Sequence, residues 1–185
     1  MFDIFYKWFI LVPTTTTTTT TTFAPIACAN PVQSPQSSPV GVQNSVNQND
    51  ILCTYAYELI YFYPYSHAVS SEEINSIRSR CTASTELCVA CSVDSSGSVL
   101  STVACGNCYT ITAETALNTP GYSNGVYWYN TPSQSFGLSA DPTISQGSAD
   151  TASTNPEKRI SWHIGSGGYR CGTEYTGEKH IYIKK

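Results

Sequence analysis

Leu87-Cys88-Val89-Ala90-Cys91-Ser92-Val93-Asp94-Ser95-Ser96-Gly97-Ser98-Val99-Leu100-Ser101-Thr102-Val103-Ala104-Cys105-Gly106-Asn107-Cys108 is the stretch on which the reading of this chain turns. Residues 87–93 and 98–105 are short runs of strand formers, and Asp94-Ser95-Ser96-Gly97 between them suits a hairpin turn. With Ser96-Gly97 as a two-residue turn, Ser95 faces Ser98 and the register sets Cys88 opposite Cys105. Cross-strand Cβ atoms lie about 4.5 to 5.5 Å apart, a small relaxation from the roughly 3.8 Å of a disulfide. In the same register Cys91 faces Thr102, so Cys91 and Cys108 must bond elsewhere, with Cys53, Cys81 and Cys171 open to them.

Cys88, Cys91, Cys105 and Cys108 also form two Cys-x-x-Cys pairs thirteen residues apart, a spacing close to that of a zinc ribbon. Three features favour disulfides over a metal. Cys88-Val89-Ala90-Cys91 lacks the glycine of a metal knuckle, four further cysteines (Cys28, Cys53, Cys81, Cys171) remain, and a threonine tract behind an apolar leader does not belong in a reducing compartment. The zinc site is the alternative, and redox exchange at Cys105 and Cys108 a third reading. Each disulfide loop contributes on the order of 2 to 4 kcal/mol.

The remaining chain reads as β-rich. Residues 51–65 place Ile51, Cys53, Tyr55, Tyr57, Leu59, Tyr61 and Tyr63 on one parity, as one long strand with an aromatic face. Ser70-Ser71-Glu72-Glu73 is a capping box before Ile74, Ile77 and Cys81 at helical spacing, which predicts one short helix. Residues 109–113 continue as a strand, and Asn124-Gly125 marks a hairpin with Tyr127-Trp128-Tyr129 behind it. Residues 131–156 read as long loops with at most one short strand, and 160–164, 169–171 and 180–183 as three closing strands, the first two joined by Gly165-Ser166-Gly167-Gly168. The expected fold is mainly β, antiparallel, sandwich-like or irregular, with one short helix and disulfide stabilisation.

Residues 1–13 are apolar and aromatic but broken by Asp3 and Lys7, a leader or the remnant of a membrane segment. Cleavage is expected nearer Pro13 than at Ala27-Cys28-Ala29, which keeps Cys28. Residues 14–49 begin with nine threonines and continue rich in Pro, Ser and Gln, so a disordered, O-glycosylated stalk is expected ahead of a cysteine-rich domain over 50–185. Charged residues are only 12 % of the chain against the usual quarter or so, and the net charge is −4, which argues against a nucleic-acid partner. Six of the nine basic residues, Lys158, Arg159, Arg170, Lys179, Lys184 and Lys185, fall in the last 28 positions. They read as a solvated terminal strand and tail, with an anionic glycan or lipid headgroup as the more specific alternative.

No catalytic motif and no cofactor-binding motif occurs, and neither a catalytic activity nor a cofactor is expected. His67 stands near Glu72 and Glu73, but those carboxylates suit the first turn of a helix; His163 and His180 fall in strands. Tyr127, Trp128, Tyr129 and Trp162 are the candidate ligand contacts, because flat rings cover the apolar face of a sugar while Asn124, Asn130 and Gln134 offer hydrogen bonds. Core packing of alternating aromatics is the competing account.

Residues 91–100 through Cys105, together with the threonine tract, resemble the secreted cysteine-rich domains of unknown function expanded in nematodes, including the six-cysteine type. Those domains carry an Asp-x-x-Gly turn followed by a cysteine, where this chain has Ser98. The resemblance implies an extracellular, β-rich, disulfide-bonded domain. The resulting expectation is a secreted or cell-surface structural or recognition module whose partner is an extracellular protein or glycan, touching a membrane only through residues 1–13 if they are retained. The alternative is a carbohydrate-binding module.

Overall fold

The computed structural model describes Cys28 and residues 36–94, 96–164 and 169–184. Two five-stranded antiparallel sheets make up the domain. The first has the order β1 (Gln43–Asn47), β4 (Val99–Asn107), β3 (Glu86–Ser92), β10 (Glu178–Lys184), β2 (Glu58–Pro64). The second runs β5 (Gly121–Ser123), β6 (Val126–Thr131), β7 (Ser135–Ser139), β8 (Arg159–His163), β9 (Arg170–Cys171). The mainly β, antiparallel fold expected from the sequence is the fold observed.

The hairpin at its centre has the expected register. Cys88 pairs with Cys105 and Cys91 with Thr102. The ladder stops short of the turn, which Asp94 closes: its Oδ1 accepts from the amides of Ser96 (3.0 Å) and Gly97 (2.8 Å), with Gly97 at φ 62°. Asn124 and Gly125 both have positive φ (53° and 76°), as a two-residue turn matched to strand twist requires, and join β5 to β6.

Leu87, Val89, Ala104 and Ile181 of the first sheet share one core with Trp128, Phe136, Leu138, Ile160 and Trp162 of the second, so the sheets form a sandwich. Helix α1 (Ser71–Arg78) adds Ile74 and Ile77 to it, and its capping box is complete: Ser70 Oγ accepts from Glu73 N at 3.1 Å while Ser70 N donates to Glu73 Oε2 at 2.7 Å. The outer face of the first sheet carries a second cluster, Cys88, Ala90, Leu100, Val103, Cys105 and Tyr182, covered by Ile51 and Tyr57.

That cover corrects the long strand expected over residues 51–65. Asp50–Thr54 is a π-helical turn, Ala56 takes φ 59°, and only Glu58–Pro64 is strand. The outer face of β3 and β4 is apolar and must be buried, so the chain folds across it before entering β2. Residues 109–113 are likewise not strand: Cys108–Thr112 is a short helix, α2, whose N-cap Asn107 accepts from Thr110 N at 3.2 Å. The part of the expected stalk at Gln43–Asn47 is β1, paired with β4, and Val42 is in the core. Residues 1–13, the threonine tract, Gly165–Gly168 as a connector, and Lys185 lie outside the described residues.

Four disulfides close the structure: Cys28–Cys53, Cys81–Cys108, Cys88–Cys105 and Cys91–Cys171. Cys91–Cys171 joins β3 to β9 and thus one sheet to the other. It spans 80 residues, against 17 for Cys88–Cys105. Chain entropy assigns about 4 kcal/mol to the longer loop and about 3 kcal/mol to the shorter. The double variant Cys91→Ser/Cys171→Ser should therefore lose more stability than Cys88→Ser/Cys105→Ser in equilibrium urea unfolding; the reverse order would show that the inter-sheet bond is not the stronger constraint.

Candidate functional site

The sulfurs proposed as zinc ligands are consumed by three different disulfides. Cys88 and Cys105 bond each other, Cys91 bonds Cys171 and Cys108 bonds Cys81. A thiolate tetrad is impossible in that connectivity, and no metal-binding cluster of His, Cys, Asp or Glu occurs among the described residues.

Three of the four candidate sugar-binding aromatics are interior. Trp128, Tyr129 and Trp162 have no exposed surface. Trp128 and Trp162 point between the sheets; Trp128 Nε1 donates to the Ser123 carbonyl at 3.1 Å and Trp162 Nε1 to Tyr65 Oη at 3.1 Å. Tyr129 lies on the opposite parity, yet its hydroxyl donates to the Ile160 carbonyl at 2.8 Å across Gly137, where an added Cβ would stand 2.6 Å from that hydroxyl. Only Tyr127 reaches the surface, against the exposed Tyr122 at 4.9 Å. Asn124 and Asn130 are spent internally: Asn124 Nδ2 donates to the Pro39 and Cys105 carbonyls, Asn130 Nδ2 to that of Thr112. Alternation puts Trp128 and Tyr129 on opposite faces of β6, and both faces are covered at those two positions.

The basic end of the chain is not simply solvated. Lys179 and Arg159 are buried. Arg159 donates Nε to the Gly172 carbonyl (3.1 Å) and Nη1 to that of Asp150. Lys179 lies on the inner face of β10, donates Nζ to the His67 carbonyl, and sits 5.5 Å from the ring centre of Tyr65 and 6.0 Å from that of Trp162. Beside it, His67 Nε2 meets Glu73 Oε1 at 2.9 Å and the imidazole stacks on Tyr63 at 4.1 Å. Glu73 thus both caps α1 and pairs with His67, reconciling the two roles the sequence offered it. Burial lowers the Lys179 ammonium to about 8, with Glu73 opposing. The set resembles acid–base machinery, but its amine has no exposed surface through which to meet a substrate, and its contacts tie β10 to the loop before α1.

In the connection between β7 and β8, Asp150 is buried in a left-handed pair with Ala149 (φ 56° and 55°), and desolvation raises its carboxyl to about 7. On β10, His180 is buried and desolvation lowers it to about 4; its Nδ1 meets Tyr182 Oη at 3.1 Å, while Tyr182 Oη accepts from Gln48 at 3.0 Å.

Two features face solvent next to each other. A cleft of about 360 Å³ is lined by Ser45, Ser101 and Thr102 and by the acidic residues Asp94, Glu157 and Glu174. Beyond Glu174, Tyr175 and Tyr169 stand exposed around Arg170. The second set was passed over in the sequence because it was spread between a two-residue strand and a turn, with no periodicity to mark it. Comparison with family models, curated proteins and solved structures returned no significant match to this chain.

Two predictions follow from burial. Trp128→Ala and Trp162→Ala should each cost about 3 to 5 kcal/mol in chemical denaturation, as core truncations do; a cost below about 1 kcal/mol would return these rings to the surface. For Asp150 the folded carboxyl titrates near 7 and the unfolded one near 3.8, so the folded state holds the extra proton between them and stability falls as pH rises through that window. Asp150→Asn should therefore gain stability relative to the parent by a few kcal/mol from pH 4 to pH 7, read as the difference of two denaturation series; a pH-independent difference would refute the buried carboxyl.

Proposed function

We propose that this protein is an extracellular recognition domain without catalytic chemistry, displayed at the end of an O-glycosylated threonine stalk. The observation that carries the reading is the disulfide set. All eight cysteines are paired, one bond locks the two sheets together, and such density is typical of chains that mature in an oxidising compartment. A surface with few charges and many hydroxyls and tyrosines agrees with it. Covalent closure leaves the sandwich rigid, so that side chains on its rim are held ready for a partner at little ordering cost.

The group that looks most chemical, the Lys179 amine beside His67 and Glu73, supports the non-catalytic reading because it is buried and committed to packing, while His67 and Glu73 are half-buried and paired with each other. Recognition then belongs to the exposed residues of the 169–175 segment and the adjoining cleft.

Mass spectrometry of the protein from its native source tests this directly. Reduction and alkylation should add eight alkyl groups that are absent without reduction, and a reductant should unfold the domain while EDTA leaves its melting temperature unchanged. Free thiols in the native protein, or unfolding by the chelator alone, would overturn the extracellular reading.

A further inference from the structure

Tyr169 and Tyr175 are 42 % and 54 % exposed, with ring centres 6.4 Å apart and planes at 89°. The guanidinium carbon of Arg170 lies 3.4 Å from the centre of the Tyr175 ring, and Nη1 donates to the Tyr169 carbonyl at 3.2 Å. Arg170 makes no ion pair among the described residues; the charges that act on it are the buried Arg159 and the two phenols. The nearest acidic residue in the chain, Glu174, borders the cleft instead, where its Oε1 accepts from Thr173 Oγ1 at 3.4 Å.

The backbone that carries this cation is held in place from the core. Trp162 Nε1 donates to Tyr65 Oη, and Tyr65 Oη donates to the Arg170 carbonyl at 2.8 Å. Arg170 pairs with Ser161 across β8 and β9, and the next residue, Cys171, is bonded to Cys91. A stacked, anchored guanidinium without a carboxylate offers its remaining N–H groups in a planar fork, the geometry that receives a carboxylate bidentately. Exposed phenol rings beside it suit the C–H face of a pyranose, which is apolar, while their hydroxyls can meet sugar hydroxyls.

We propose that Tyr169, Arg170 and Tyr175 form a binding site for a glycan that ends in a carboxylate-bearing sugar, the guanidinium taking the carboxylate and the tyrosine rings the face of the pyranose. The site rests on the reading of the chain as an extracellular recognition domain and gives that domain a ligand class. The acidic cleft beside it repels the same anion, so the ligand is oriented with its charged end on Arg170 and its neutral sugars free to reach the cleft hydroxyls.

The test titrates the oxidised full-length protein by NMR or calorimetry with a trisaccharide ending in sialic acid, an oligosaccharide ending in glucuronic acid, and neutral lactose. At least one of the acidic probes should bind, lactose should bind about tenfold or more weaker, and Arg170→Gln and Tyr175→Ala should each weaken the acidic probe by a similar factor with the melting temperature retained. Lys158→Gln, a basic change outside the site, should leave binding as it was. Equal binding of lactose, binding unchanged in Arg170→Gln, or no binding of either acidic probe overturns the site. If Arg170→Gln lowers the melting temperature, Tyr175→Ala decides, since its ring is over half exposed. Failure here in a protein whose cysteines are all oxidised sinks this ligand class alone, whereas free cysteines sink the reading beneath it.

Discussion

Strand β3 is buried on both of its faces: Leu87, Val89 and Cys91 look toward the second sheet, and Cys88 and Ala90 look outward into the second cluster. An antiparallel sheet ordinarily leaves one face to water, and a strand apolar on both sides must be covered twice. Much of the remaining architecture answers that demand. The second sheet supplies one cover with Trp128, Phe136, Leu138 and Trp162, and the turn through Ile51 and Tyr57 supplies the other. Cysteines stand on both faces of β3, so each layer is also fastened covalently: Cys88 to its neighbour β4, and Cys91 to β9 across the core.

Burial on this scale leaves few places for charge, and the buried cations Lys179 and Arg159 are met by carbonyl oxygens. Lys179 donates to His67, and Arg159 to Asp150 and Gly172. Each such contact joins a strand to a loop that has no ladder of its own, so the polar groups hold the irregular segments to the sheets. Their desolvation shifts Lys179 and His180 downward and Asp150 upward, the direction in which each becomes neutral. Arg170 differs from Lys179 and Arg159 in being only half-buried: its guanidinium lies over the Tyr175 ring and makes no ion pair among the described residues.

Local signals were readable wherever the chemistry acts over a few residues. The Cys88/Cys105 register follows from strand pairing about a short turn; the start of α1 follows from Ser70 and Glu73; the β5–β6 hairpin follows from Asn124-Gly125. Each is a constraint closed within about twenty positions, and neighbouring chain is enough to specify it. The segment over 51–57 was not readable, since alternation of Ile, Cys and Tyr suits a strand and equally suits a coil laid on an apolar sheet. Helix α2 was also missed, although Asn107 as an N-cap was a signal available in the sequence.

The sequence by itself determined the β class, the oxidised cysteine framework, one disulfide with its register, and the absence of a recognisable catalytic motif, because composition and short-range pairing suffice for these. Tertiary structure alone decided which aromatics reach solvent. Trp128, Tyr129 and Trp162 are sugar-binding residues in type, yet two stacked sheets and a covering loop enclose them, whereas Tyr169, Arg170 and Tyr175 meet only because β9 ends, the chain turns, and Tyr65 pins the carbonyl of Arg170 from across the core. Exposure depends on what the rest of the chain packs against a residue, and that is a property of the whole fold.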